Sequence, residues 1–501
     1  MIDSLIILGG GTSGLISALM LRSAYPELKI TMIESSALGI IGVGEGSTEH
    51  WKRFMKQANI SVFDMMRETG STFKMGIKFT NWHGDGTHYF HSLAEQYGLH
   101  STENGLPYVM LKLIADGYDP LETVWKKSQE SVHVEPLHEN FAQYHFDTFK
   151  LNDYFHRLCR ERNVDIIDAT IKDVVLDEAG YVKHLVGEDN KEYPADFFID
   201  CSGFRRIIGT KLGAKWIDKV DQLPMNSALA FPTPYTEQIP SYTEATALSS
   251  GWVWRIPTQE RYGNGYVFCD DFIDETTAYD EVSEHYKKLG IADSIEIGRK
   301  VKFGAGHVDQ FWIKNCVMTG LSGIFVEPLE ATSMGTTIQQ TFLLTPGLYL
   351  YERGEEISAK TYNDQMKDIS ENIIDFIQLH YFTQRNDSEF WKWVSNEMKL
   401  TDFNKEKLDY MKRQGVHPHF FMDDMLLFHH LNWMQVMHGL RLFKGDGLSE
   451  RWKALEATYG FIVNKRIFEE NVYYEKTHQF TPHREALELI KQRYENVQYK
   501  F

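Results

Sequence analysis

An α/β fold with a parallel-sheet core and a largely helical C-terminal layer is what this sequence predicts, on three observations. The first 34 residues read as strand, glycine turn, helix, strand and acid. Short apolar runs of strand character, bounded by turn residues, recur as far as Thr319. From about Tyr351 the pattern changes to amphipathic helix rich in Trp, Phe, Met and His.

The first strand spans Leu5 to Leu8 and enters Gly9-Gly10-Gly11-Thr12-Ser13-Gly14. A helix follows from Leu15 to about Tyr25, then a second strand from Lys29 to Ile33 that closes on Glu34. This is a dinucleotide fingerprint: Gly9 makes the tight turn, Gly11 lets the backbone approach a pyrophosphate, and Gly14 lets the helix pack closely. The helix opening at Thr12 and Ser13 offers free N–H groups and a favourable dipole to phosphate. Glu34, 20 residues after Gly14, is placed to accept hydrogen bonds from an adenosine ribose. The core is therefore expected to be Rossmann-type.

After Gly44-Glu45-Gly46-Ser47 the chain reads as helix through Trp51 to Met66. Short strands follow from Ile166 to about Ile199, and a long polar loop is expected near Thr233 to Thr246. Strand patterns resume at Trp252 to Ile256, Gly265 to Cys269 and Cys316 to Thr319. The core strands are thus scattered and rejoined. Residues 1–350 are expected to form one composite domain with interleaved substrate segments, and 351–501 a mainly helical substrate-binding region. No internal repeat or low-complexity tract interrupts this pattern.

Composition narrows the partners. Hydrophobic residues at 43% support a sizeable core, while 52 Lys and Arg against 70 Asp and Glu give a net charge of −18. That is the wrong sign for general binding to nucleic acid or an anionic membrane. The N-terminus lacks the basic flank of a secretory signal, and no apolar run approaches the roughly 18 residues that span a bilayer. Cys159, Cys201, Cys269 and Cys316 are isolated, as in reduced cytoplasmic proteins. His417-Pro418-His419 and His429-His430 lack a ligand framework, so no metal is expected. The glycine unit is single, which favours a flavin reduced by another protein over a second bound dinucleotide.

Further segments carry chemistry. Gly251-Trp252-Val253-Trp254-Arg255-Ile256-Pro257 places two indoles two residues apart, on one face of a strand. Core packing alone would satisfy that spacing. Phe73-Lys74-Met75-Gly76-Ile77-Lys78-Phe79 holds Lys78 between apolar neighbours, as a snorkelling lysine or one kept inside for a purpose. Gly320-Leu321-Ser322-Gly323-Ile324-Phe325-Val326-Glu327-Pro328-Leu329-Glu330-Ala331-Thr332-Ser333 adds a glycine turn and two glutamates. Thr332 or Ser333 could cap a following helix, whose N-terminus is itself a natural anion site. Together with Phe197-Phe198-Ile199-Asp200-Cys201-Ser202-Gly203 and Gly42-Val43-Gly44-Glu45-Gly46-Ser47, these segments resemble one family, the flavin-dependent halogenases of the tryptophan-halogenase type. The matched blocks run from Gly9 to Ser333.

The resemblance implies a flavin-monooxygenase-like FAD core and an FADH2-dependent halogenase. Reduced FAD from a separate flavin reductase, dioxygen and a halide would yield hypohalous acid. Flavin contacts would come from Gly9, Gly11, Thr12, Ser13, Gly14, Glu34, Gly44, Glu45 and Gly320. Trp252, Trp254 and Pro257 would keep a small aromatic substrate away from the flavin. Lys78 and Glu330 would be catalytic, and Thr332 with the backbone N–H of Ser333 would hold the halide. The family pattern has glycine where Ser333 stands, and the added Cβ leaves the choice among chloride, bromide and iodide open. His88-Tyr89-Phe90-His91 lies where the family has substrate-lining aromatic residues. A homodimer is the default assembly.

Two other readings stay open at this point: an FAD-dependent aromatic monooxygenase or epoxidase on the same fold, and a non-catalytic flavin-binding partner protein. Lys78 and Glu330 favour halogenation, because hydroxylation at the flavin needs no remote lysine. Indoles, phenols and pyrroles all remain candidate substrates, and Tyr473-Tyr474-Glu475 is not aligned with any substrate-gripping pattern.

Overall fold

The computed structural model describes residues 2–39, 45–92, 106–117, 131–132, 143–355, 357–459 and 481–494. The opening unit is as expected, with β1 (Ser4–Leu8), α1 (Thr12–Ala24) and β2 (Lys29–Glu34). Strands β3 (Gly76–Thr80) and β4 (His88–Ser92) follow, and helix α2 (Thr148–Glu161) leads to β5 (Asp165–Asp168) and β6 (Phe197–Asp200). Next come β7 (Ser227–Pro234), β8 (Thr243–Ala247), β9 (Gly251–Pro257), β10 (Arg261–Phe268), helix α3 (Glu275–Lys288) and β11 (Arg299–Lys302). The strands β12 (Trp312–Ile313) and β13 (Cys316–Met318) precede the helices α4 (Thr332–Tyr351) and α5 (Ile357–Leu379).

Two sheets position the site. The first has the order β12-β13-β6-β1-β2-β5 and is parallel except for β12. Its registers pair Leu8 with Asp200 and with Ile33, so the carboxyl ends of β1, β2 and β6 lie side by side. Ligands of open parallel sheets bind in the crevice outside such ends. The second sheet has the order β11-β7-β10-β9-β8-β3-β4. One of its faces is covered by α3, where Ala278, Val282 and Tyr286 meet Phe231, Val253 and Tyr266. The other face carries Ala228, Ala230 and Ala245, whose small side chains leave room beside Trp252 and Trp254.

The polar loop expected from Thr233 to Thr246 is shorter than that. Pro234 still pairs with Arg261, and Thr243 already pairs with Ile77, so only residues 235–242 connect the strands. The helical layer also begins before residue 350. Helix α4 packs on α1, with Ser17 Oγ and Thr341 Oγ1 hydrogen-bonded at 3.0 Å in the interior. One hydrophobic cluster runs from Leu5 and Ile7 to Phe376 and Trp433, joining the Rossmann core to the later helices. Among the described residues no helix is long and apolar enough to cross a membrane.

Candidate active site

A cavity of about 650 Å3 lies between the carboxyl ends of the parallel strands and the open face of the second sheet. At one end is the glycine turn. Gly9 has φ +121°, and a Cβ there would overlap the Cys201 carbonyl; one on Gly14 would overlap the Gly9 carbonyl. Gly11 differs, because among the described residues nothing lies within 4 Å of its missing Cβ. It faces open cavity, at the start of an α1 that has no side-chain cap. Uncapped N–H groups beside an open cradle suit a pyrophosphate.

Glu34 lines the same end and accepts from His156 Nε2 at 2.7 Å. Thr12 donates to Asn152 Oδ1 at 3.1 Å, and Ser13 Oγ lies 3.8 Å from Cys201 Sγ. Both Thr12 and Ser13 line the cavity, as does Glu45, whose carboxyl burial pushes up to about 7. Gly14 serves packing and does not reach the wall. Gly320 is also off it: at φ +63° it presses against Ser13, where a Cβ would overlap the hydroxyl. It borders the glycine-turn end of the cavity through Ser13. Gly44 lies outside the described residues, as does Tyr473-Tyr474-Glu475.

Alternation along β9 turns Trp252, Trp254 and Ile256 to the cavity. Pro257, next in the alternation, does not line the cavity, and its carbonyl accepts from Thr72 Oγ1 at 2.8 Å. Trp254 lies over Gly265, where any Cβ would overlap its ring. Trp252 Nε1 donates to Glu327 Oε1 at 3.0 Å.

The two lysines of the 73–79 segment part company. On β3, Ile77 lines the cavity, and Lys78 is turned to the other face with its Nζ 5.5 Å from the Tyr242 ring. The structure does not bring Lys78 together with Glu330. Lys74 lies in the break between the strand Thr72–Phe73 and β3, and is only 2% exposed. Its Nζ donates to the Ser47 carbonyl at 2.8 Å. A Cβ on Gly46 would lie 3.4 Å from that Nζ and 3.5 Å from Ala331 Cβ, so the ammonium lies close behind Gly46, which lines the cavity as Glu330 and Ala331 do. Burial pulls Lys74 down to about 8, against the opposing fields of Glu330 and Glu49.

Glu330 is buried, and its Oε1 meets His91 Nδ1 at 2.8 Å and His380 Nε2 at 3.0 Å. Burial alone would raise its carboxyl, and the two imidazoles reverse that and hold it well below the usual carboxylate range. Glu330 and Ala331 have φ of 64° and 56°, two successive left-handed residues that cost about 1–3 kcal/mol each. This turn starts α4 at Thr332 without a side-chain cap, so neither Thr332 nor Ser333 is spent on capping. Ser333 lines the large cavity; Thr332 is buried behind it. Among the described residues no three His, Cys, Asp or Glu side chains are grouped to hold a metal.

Sequence reasoning missed Lys74, His380 and the partners of Glu327. His380 lies just past the end of an ordinary amphipathic helix and has no motif to announce it. His91, expected on a substrate wall, is bonded to the glutamate instead.

Comparison with known proteins gives the family and the fold. The family described as tryptophan halogenase matches residues 4–449. Tryptophan 7-halogenase KtzQ of Kutzneria sp. (strain 744) is 30% identical over 448 residues, covering 83% of this chain and 82% of that protein. Tryptophan 6-halogenase SttH of Streptomyces toxytricini is 28% identical over 423 residues, covering 78% and 80%. The solved structure of BrvH, a flavin-dependent halogenase from Brevundimonas sp. BAL3, matches with a TM-score of 0.81 at 28% identity. That match covers 98% of this chain and 99% of the other.

Proposed function

The chain belongs to the tryptophan halogenase family and is a flavin-dependent halogenase of an aromatic substrate, and we propose that Lys74, not Lys78, is its catalytic lysine, acting with Glu330. When bound, reduced FAD supplies the electrons that turn dioxygen and halide into an electrophilic halogen species. Gly9 to Ser13 and Glu34 would hold its pyrophosphate and ribose, and Trp252 and Trp254 would stand between it and the organic substrate. Thr332 and the N–H of Ser333 hold the halide. The oxidant passes Gly46, where the absent Cβ keeps the way open, and reaches Lys74.

The ammonium of Lys74 donates a hydrogen bond to the oxidant and fixes it for attack by an electron-rich ring carbon. Glu330, held ionised by His91 and His380, lies within electrostatic reach to take the proton that leaves the ring. Lys78 is a sheet residue that packs on Tyr242. The reductant is delivered by a separate flavin reductase, and the substrate is an indole, as the names of KtzQ and SttH suggest.

One observation carries the assignment: Lys74 is a buried amine behind the cavity-lining Gly46 and in the field of Glu330, whereas Lys78 faces away. Mass spectrometry of products from a panel of indoles, phenols and pyrroles, with reduced FAD and each halide, tests it. Lys74→Ala is expected to abolish halogenated product while oxidation of reduced FAD continues; Lys78→Ala is expected to keep product within about threefold. Loss of product in Lys78→Ala alone would return the role to Lys78.

A further inference from the structure

A second cavity, of about 20 Å3, adjoins the large one and shares Phe325 and Ser333 with it. That is room for a single guest of about the size of water. Its polar walls are Thr332, Ser333 and Thr336 of α4, and Glu327. The uncapped first turn of α4 makes it a place for an anion. Glu327 is the unexpected neighbour. It is 1% exposed, and its Oε1 accepts from both Trp252 Nε1 at 3.0 Å and Tyr381 Oη at 2.6 Å. Among the described residues its buried Oε2 has no hydrogen-bond partner.

A carboxylate with a bare oxygen beside an anion site would repel the anion, whereas a carboxylic acid offers an O–H from that same oxygen. The surroundings favour the acid. Tyr381 bonds Glu327, but Glu330, three residues on, is engaged by His91 and His380. Among the described residues no ammonium, guanidinium or imidazole bonds Glu327. Burial pushes its carboxyl up to about 7, in spite of the Tyr381 and Trp252 bonds.

We propose that Glu327 is a halide-binding residue, whose neutral carboxyl donates its O–H into the small cavity while its other oxygen anchors Trp252. This rests on reading Thr332 and Ser333 as the halide site. It makes halide affinity a function of pH. The acid form binds, so affinity is complete below about 7 and is lost above it, by about tenfold per pH unit.

The test is halide binding to the flavin-free protein between about pH 6 and 9, read by chloride NMR line broadening, with bromide located by anomalous scattering. The wild type is expected to bind bromide in the small cavity, with affinity flat to about pH 7 and falling beyond. Glu327→Gln presents an amide N–H2 in place of the O–H and a carbonyl to Trp252 and Tyr381. It is expected to retain the low-pH affinity within about threefold and to stay flat to about 8, where Lys74 begins to discharge. Glu327→Ala is expected to lose about tenfold at pH 6. Bromide absent from the cavity of the wild type would overturn the halide reading and this proposal together. Bromide present, with Glu327→Gln reproducing the wild-type pH profile or losing the low-pH affinity, would overturn the role of Glu327 alone.

Discussion

His380 donates to Glu330 from Nε2 at 3.0 Å, while its Nδ1 meets the Phe376 carbonyl at 3.0 Å. Two acceptors require two donors, so His380 is an imidazolium paired with the glutamate. His91 is different. Asn432 Oδ1 accepts from the His429 N–H at 2.8 Å, which fixes its Nδ2 toward His91 Nε2 at 3.1 Å. His91 Nδ1 therefore directs its proton to Glu330.

Removing the imidazolium should release the carboxyl. In His380→Leu, Glu330 keeps only His91, and its carboxyl should rise toward and beyond the ordinary range, since burial then dominates. Product formation is expected to fall by about tenfold or more, and its acid limb to move to higher pH, while oxidation of reduced FAD is unchanged. A pH profile of product against flavin turnover checks this. A merely structural role would lower both rates together and leave the limb in place.

Lys74 should cost stability. Its folded value near 8 lies below that of a lysine in water, so the folded state binds fewer protons between about 8 and 10.5. Stability from this group therefore rises with pH through that window, and at pH 7 the buried ammonium is a penalty of about 3 kcal/mol. The bond to the Ser47 carbonyl returns about 1 kcal/mol of that. Lys74→Met is expected to raise the melting temperature at pH 7 by a few degrees, with the gain shrinking toward pH 10. Scanning calorimetry at the two pH values decides it, and a lower melting temperature at pH 7 would contradict the buried charge.

These residues show what the sequence could convey. The β1-turn-α1 unit was legible because each glycine has a local reason, and the indole pair because alternation on β9 is regular. The lysine was not. Positions 74 and 78 have the same parity, yet residues 74 and 75 are where the chain crosses from the sheet of Thr72–Phe73 to that of β3. There the Lys74 N–H bonds the Gln143 carbonyl and the Met75 N–H the Ser241 carbonyl, so the alternation restarts. Periodicity cannot report a change of sheet. His380 was hidden for a related reason, since it acts across 50 residues of chain on a glutamate in another element. Pro257 stands off the cavity wall, because a motif records adjacency in sequence and the pleat sends alternate residues apart.

Gly265 sets how far Trp254 can withdraw from the flavin end. A Cβ at 265 would overlap the indole, whose outward side is the large cavity. Gly265→Ala is expected to push the ring into that cavity and weaken FAD binding by about tenfold or more, by titration of flavin fluorescence. Trp254→Phe in the same background should restore binding, because the smaller ring clears the new methyl group. Failure of that rescue would mean that the loss arose in the β9–β10 ladder instead.

Gly11 offers the cleanest test of where the pyrophosphate lies. Its φ is −73°, which any residue adopts, and among the described residues nothing lies within 4 Å of the Cβ that alanine would bring. Gly11→Ala should therefore fold as the parent does, with a melting temperature within about a degree in the absence of flavin. Its methyl group would occupy the space where a pyrophosphate must approach the N–H groups of α1. FAD affinity is expected to fall by about tenfold or more. Gly14→Ala makes the opposite contrast, because its Cβ would overlap the Gly9 carbonyl and the damage should appear as lost stability before any ligand is added. Unchanged FAD affinity in a stable Gly11→Ala protein would place the phosphates elsewhere in the cavity.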